Sequence, residues 1–374
     1  MWYNRFATIL HTHTRGANSL QHNDNTAATG RQVQILHDYD NRGKERPWAL
    51  HRTEADYMAY AYDEIKPDKA SKIRGCATWV EFARAEGADS MRLHDANFCR
   101  IRLCPVCQWR RSLKIWSQTS DLVAAAQNQG RYSWVMLTLT QRNIDGWELK
   151  YELDRLYKAW SDLTRRKQFK AAIKGWMRVL EVTHNTKLGS NAFDTFHPHF
   201  HALLCVNTSY FHSRDYISQK EWASLWADCM GLDYTPSVDV HAVKGDTAGA
   251  IAEVSKYATK PDSVLTPEDW DLTVRTIEQL DADLANRRLI AYGGILRKLH
   301  HDLHMDSIDD GDLIHTSNDD DVATAVYEYV SYSWNIGYRA YCKASTREGG
   351  APDEDKRNRH TAARGTAPRE QSAQ

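Results

Sequence analysis

Three clusters of side chains in this 374-residue chain have the types and spacing to do chemistry. The first is His197-Pro198-His199-Phe200-His201. On a strand, alternate side chains share a face, so His199 and His201 can grip one ion while Phe200 turns into a core. A third ligand is available in Glu181, an acid within the otherwise apolar run 178–183. An acid in a half-buried strand costs free energy unless it is paired or bound to a metal. His197 has the same parity but precedes Pro198, and is read either as a further ligand or as a group that orients one. Two imidazoles and a carboxylate, with room for water, suit Mn2+ or Mg2+ holding a phosphate; ligand type alone leaves Zn2+ open.

The second cluster is Cys99-x4-Cys104-Pro105-Val106-Cys107, three thiols within nine residues. Its Cys-x2-Cys knuckle is the spacing that lets two sulfurs reach one tetrahedral Zn2+. Cys76 upstream is the favoured fourth ligand and His94 its competitor. Such a zinc contributes folding energy rather than reaction chemistry. Around it Arg100, Arg102, Arg110 and Arg111, with Trp109 and Trp116 between them, combine phosphate-pairing charge with stacking surfaces, as a nucleic-acid contact requires. Arg165, Arg166 and Lys167 open a second basic stretch, 165–178, that contains no acid.

The third cluster is Glu253-Val254-Ser255-Lys256-Tyr257, in which Glu253 and Tyr257 share a face if the segment is helical. Taken together and in this order, a strand at 137–140, then 197–201, then 253–257 resembles the three motifs of plasmid rolling-circle replication initiators, the Rep branch of the HUH endonucleases. The resemblance covers roughly residues 76–264, with a weaker match at 287–313. Conjugative relaxases are similar but carry the tyrosine before the histidines, and two-tyrosine relatives have Tyr-x3-Tyr where this chain has Glu253. The resemblance implies that Tyr257 attacks a phosphodiester, giving a 5′-phosphotyrosyl link and a 3′-OH primer. It further implies that Glu253 is the general base of the terminating transfer, and that Lys256 or Lys260 stabilises charge on the phosphate. The implied partners are plasmid origin DNA, with a single-stranded or hairpin nick site, and a host helicase and polymerase.

These groups need elements to hold them. Residues 132–140 are β-rich, 147–166 carry Leu149, Leu153, Leu156, Trp160 and Leu163 at helical steps, and 176–183 and 200–206 read as an antiparallel pair around a polar loop. A helix over 218–230, a strand over 237–243 and a helix over 247–260, stopped before Pro261, follow. Residues 269–304 look helical, and 327–341 are aromatic and β-leaning. The expected fold is α+β: an antiparallel-sheet HUH nuclease core with helices packed on it, preceded by a small zinc-binding module. The expected domains are a mostly disordered polar arm at 1–70, the zinc module at 71–116, the endonuclease at 130–265, an acidic helical/β extension at 266–342 and a disordered tail at 343–374.

Composition sets the outer bounds. A chain that is 42% hydrophobic and 26% charged is globular in type, and no run approaches the ~18–20 apolar residues of a membrane span. No secretory signal is apparent in the opening residues, and four of the seven cysteines crowd into 76–107, which suits a metal cluster in a reducing cytoplasm. The net charge of -1 conceals a segregation: nine Lys/Arg against four Asp/Glu over 71–115, and fifteen Asp/Glu against five Lys/Arg over 262–321. The basic stretches are expected to face phosphates and the acidic one solvent. Two further histidine groups, His11-Thr12-His13 and His300-His301-x2-His304, are weaker candidates for metal binding.

Overall fold

A computed structural model describes residues 33–40, 42–85, 91–245, 247–255, 263–266, 268–316 and 326–348. In chain order its elements are α1 (Trp48–Ile65), α2 (Pro67–Gly75), β1 (Trp79–Ala85), β2 (Met91–Ala96), α3 (Pro105–Gln129), β3 (Tyr132–Leu139), β4 (Ile144–Asp145), α4 (Leu149–Arg165) and α5 (Lys167–Ala172). Then come β5 (Ile173–Asn185), β6 (Thr195–Asn207), α6 (Gln219–Met230), β7 (Val238–Ala242), α7 (Thr247–Val254), α8 (Trp270–Asp283), β8 (Ile290–Gly293), α9 (Gly294–Asp302), β9 (Val326–Asn335) and β10 (Ala340–Glu348). The architecture is α+β with antiparallel sheets.

The chain divides into two compact units. The larger contains Trp48–Cys76 and Phe98–Ser317. Its sheet runs β7-β3-β6-β5-β8, with the short β4 paired to the start of β6. The long β5–β6 hairpin at its centre has the antiparallel pairing expected from sequence, with Glu181 opposite His199 and Val179 opposite His201. Parity then separates two layers. On the Phe200 side, α4 lays down the predicted stripe of Leu149, Leu153, Leu156 and Leu163, all fully buried, each contributing ~1.5–3 kcal/mol of apolar burial. Trp160 closes that layer, its ring 5.7 Å from Phe200 and 5.0 Å from Trp176. On the opposite face Met177, Val179, Leu203 and Cys205 pack beneath α3, α7 and α9.

Local rules fix the ends of these elements. Ser218 and Glu221 form a reciprocal capping box at the start of α6, and Gly231 stops it in the left-handed conformation at φ 65°. The expected helix over 269–304 is instead α8, then β8, then α9. Gly293 and Gly294 make that break possible: a Cβ on Gly293 would lie 2.1 Å from Trp176, and Gly294 has φ 57° with the Lys174 carbonyl pressed against it.

Two expectations are corrected. The acidic stretch does not simply face solvent, because Asp281 is buried and receives Tyr62, Lys66 and Lys69, and Asp306 pairs with the buried Lys114 of α3. Residues 48–70, the end of the expected polar arm, form α1 and the start of α2. Their polar side chains are buried as pairs, His51 with Glu54 and Arg52 with Asp56, so a polar composition conceals an internal helix. Residues 1–32 of the expected arm and 349–374 of the expected tail lie outside the described residues, while 343–348 belong to β10.

The smaller unit has a sheet of order β10-β9-β1-β2. Val80, Phe82, Leu93, Val330, Tyr332 and Tyr341 are among its buried apolar residues, and Glu81 gathers Arg347 and Ser331. Residues 77–97 belong to this unit, so the stretch 71–116 is not one continuous module.

Candidate metal centre

The larger unit brings two of the predicted clusters together. Cys76 follows α2, Cys104 caps α3, Cys107 lies in its first turn and Cys99 sits in the loop before it. Their sulfurs stand 3.6 Å apart for Cys76 and Cys107, 3.6 Å for Cys76 and Cys104, and 3.7 Å for Cys99 and Cys107. Four sulfurs at ~2.3 Å from a tetrahedral Zn2+ have edges of ~3.8 Å, so the quartet fits that ion closely. The backbone N–H of Arg100, held at φ 60°, donates to the Cys107 sulfur, and that of Cys99 donates to the Cys76 sulfur. Hydrogen bonds from Cys104, Cys76 and Cys99 hold the Cys107 thiol well below its ordinary pKa. The competitor His94 is elsewhere, beside Glu81 and Tyr329 in the smaller unit.

The second cluster is Glu181, His199 and His201. His201 Nε2 lies 3.0 Å from Glu181 Oε2 and 3.1 Å from His199 Nε2, and the third edge is 3.7 Å. A divalent ion held by three ligands at ~2.0–2.2 Å imposes edges of roughly 2.9–3.6 Å. The hydrogen bonds behind the ligands favour the same use. His199 Nδ1 faces the His197 carbonyl at 2.9 Å and must carry its proton, so in the neutral ring Nε2 is a bare lone pair aimed at the centre. His201 Nδ1 is steadied by Thr138 Oγ1 at 3.1 Å across the β3–β6 ladder. Glu181 is 3% exposed, which gives a cation there a charge to neutralise.

The His197 ring is not part of this group. Its Nε2 donates to the Gln141 carbonyl at 2.9 Å, and burial, reinforced by neighbouring His199, lowers its pKa. His197 still serves the cluster through its backbone carbonyl, which orients His199. Glu253 is on α7, whose Ile251 and Val254 pack against Leu203 and Cys205, on the face of the sheet that carries the histidines. Lys256, Tyr257 and Lys260 lie outside the described residues.

The predicted basic contacts fare unevenly. Arg110 is corrected: it is 2% exposed and donates to the carbonyls of Leu313 and Ile314 and to Thr316 Oγ1, so its charge is used inside the fold. Arg100 donates to the carbonyls of Asp310 and Gly311, and Arg111 to those of Ile101 and Arg100. Arg100, Arg102 and Arg111 nevertheless line a cavity of about 140 Å3 that also touches Val179, the residue opposite His201. Arg165 and Lys167 are exposed and Arg166 is half-buried. Sequence reasoning missed Thr138 and the Gln141 carbonyl, because only the strand register sets them against the histidines.

With this geometry in view, comparison with known proteins places the chain. Residues 90–342 match the family described as Replication protein. The protein rep of Bacillus amyloliquefaciens is 36% identical over 334 residues, covering 82% of this chain and 96% of the relative. That of Streptococcus pneumoniae serotype 2 is 33% identical over 318 residues, covering 83% and 96%, and that of Lactiplantibacillus plantarum 36% over 303 residues, covering 77% and 91%. No solved structure matches the chain. The chain belongs to the replication protein family, and with it to the plasmid replication initiators whose motifs it resembles.

Proposed function

We propose that this initiator starts rolling-circle copying by nicking one strand at the plasmid origin, and ends it with a second cleavage and strand joining. The observation that carries the reading is the facing set of Glu181, His199 and His201 on one side of the β5–β6 hairpin. These three residues would hold Mn2+ or Mg2+, which supplies charge neutralisation and orientation to the scissile phosphate. Tyr257 Oη forms a bond to phosphorus as the bond to the 3′ oxygen breaks, leaving a 5′-phosphotyrosine and a 3′-OH. With an unperturbed phenol pKa of ~10, Tyr257 needs that electrostatic help at neutral pH. Glu253 accepts a proton from the water or strand hydroxyl that resolves the link, and Lys256 or Lys260 steadies the phosphate charge. The cysteine quartet holds Zn2+ as a staple. Arg100, Arg102, Arg111, Arg165, Arg166 and Lys167 meet DNA phosphates, and the 3′-OH passes to a host polymerase assisted by a helicase. No described helix is long and apolar enough to cross a membrane, and the cytoplasm, where plasmids replicate, is the proposed working place.

The test is incubation with a supercoiled plasmid carrying the origin, followed by a denaturing gel. Wild type is expected to give open circles and a covalent protein–DNA adduct, and Tyr257→Phe neither, with origin binding retained. Origin binding by wild type without nicking or adduct would replace this reading with a non-catalytic DNA-binding regulator.

A further inference from the structure

Beside the candidate metal centre, on the same face of the sheet, lies an open cleft of about 400 Å3 lined by Asn143, Thr183, Asn185, Lys187 and His197 among others. Thr183 and His197 are directly opposite one another, one same-face row beyond the Glu181–His199 pair. That displacement is ~7 Å along the strands, about one nucleotide step. The cleft is large enough for a nucleotide and open enough to let a strand run through it.

Its walls are firmly built. His184 is buried, stacks on Phe196 with ring centroids 4.4 Å apart, and holds Asp194 at 2.9 Å, fixing the end of the β5–β6 loop. Asn185 Oδ1 accepts the Lys187 backbone N–H, which makes a compact turn at the start of that loop. The Lys187 side chain is exposed and makes no ion pair among the described residues. Asn143 donates Nδ2 to Thr195 Oγ1 at 2.8 Å, which fixes its amide and leaves Oδ1 as an acceptor. The His197 ring is fixed by its Nε2 bond to the Gln141 carbonyl and forms part of the cleft wall. An exposed cation and a positioned acceptor are the equipment for one phosphate and one base edge.

We infer that this cleft seats the nucleotide adjoining the scissile phosphate on single-stranded origin DNA, with Lys187 on its phosphate and Asn143 reading the donor edge of its base. The inference rests on the nicking function proposed above and adds to it the site of sequence choice. Such a division of labour separates affinity from specificity: the phosphate contact is blind to sequence and sensitive to salt, and the base contact is the reverse.

Both halves can be measured. Binding of a fluorescein-labelled single-stranded DNA 25-mer is followed by anisotropy between 50 and 300 mM NaCl, for wild type and for Lys187→Gln. Loss of one phosphate contact is expected to reduce the slope of log K against log salt by ~0.7, which a purely structural role of Lys187 would not do. Separately, wild type and Asn143→Ala are given nick-site oligonucleotides carrying each of the four bases beside the nick. Asn143→Ala is expected to flatten the wild-type preference on the order of tenfold, with an unchanged salt slope. An unaltered slope in Lys187→Gln and an unaltered preference in Asn143→Ala, with wild type still forming its adduct, would overturn the cleft assignment and leave the nicking function standing. Absence of any wild-type adduct, with the Lys187→Gln slope still reduced, would sink the nicking function and retain the cleft as a strand-binding site.

Discussion

Replacing Glu181 by Gln sets two effects of one buried charge against each other. The substitution keeps the size of the side chain and an oxygen acceptor but removes a carboxylate that is 3% exposed. Without a divalent ion, that carboxylate carries a desolvation penalty of several kcal/mol. The hydrogen bond with His201 at 3.0 Å returns about 1.5–3 kcal/mol, as bonds to charged groups do. Neutralising the group should therefore stabilise the ion-free protein by ~1–2 kcal/mol, raising Tm by roughly 2–8 °C for a unit of this size. With Mn2+ at ~100 times its Kd, wild type gains about 2.7 kcal/mol by linkage, and the variant, now offering a neutral oxygen, gains little. The order of stability is then expected to invert: Glu181→Gln melts higher without added ion, wild type higher with it. Differential scanning calorimetry in the two buffers, with the cysteine-held zinc checked by atomic emission, reads this directly. A variant less stable than wild type in both buffers, or an equal Mn2+ shift in both proteins, would refute the reasoning.

Three further substitutions test separate roles. Glu253→Ala should nick and form the tyrosyl adduct but release it ~10²–10⁴-fold more slowly; equal loss in both steps, measured on origin oligonucleotides, would make Glu253 merely structural. Cys104→Ser, which removes one sulfur from the quartet at the head of α3, should lose soluble protein before it loses chemistry, since a structural zinc contributes on the order of 10 kcal/mol; a soluble, zinc-free and fully active variant would contradict this. Arg110→Ala should cost about 3–5 kcal/mol of stability, since the carbonyls of Leu313 and Ile314 lose a buried charged donor; denaturant unfolding reads that loss, while the DNA salt slope of the folded variant should stay unchanged.

What the sequence disclosed follows from the range of its signals. Alternation within six residues was enough to put His199 and His201 on one face, and a misplaced acid pointed to Glu181; both rest on local parity, and the hairpin register bears them out. Cysteine spacing likewise led to Cys76. Parity could not show that the His197 ring turns to Gln141, because that depends on a loop 56 residues away. Nor could charge runs show that Arg110 is internal, since its partners at Leu313 and Ile314 are more than 200 residues distant. The helix α1 was hidden for a different reason: buried polar residues, His51 paired with Glu54 and Arg52 with Asp56, are interleaved with its buried Ala55, Met58, Ala59 and Tyr62, so a polar composition overlies the apolar stripe.

The strand order of the smaller unit has a consequence for synthesis. Its interior strand β1 lies between β2 and β9, so one flank is completed at once and the other only when residue 326 has emerged, about 230 residues after β2 ends. At ~5–20 residues per second the ribosome needs roughly 10–50 s to cover that gap. Throughout it the β1–β2 hairpin presents an unpaired edge beside apolar residues such as Phe82, the kind of template that recruits other chains. The four cysteines, by contrast, are all translated within 32 residues, so the quartet can assemble early while the sheet of the smaller unit waits. A message truncated before residue 326 would thus yield a chain able to gather its four cysteines yet carrying a permanently open sheet edge, a substrate for chaperones and proteases rather than a shortened initiator.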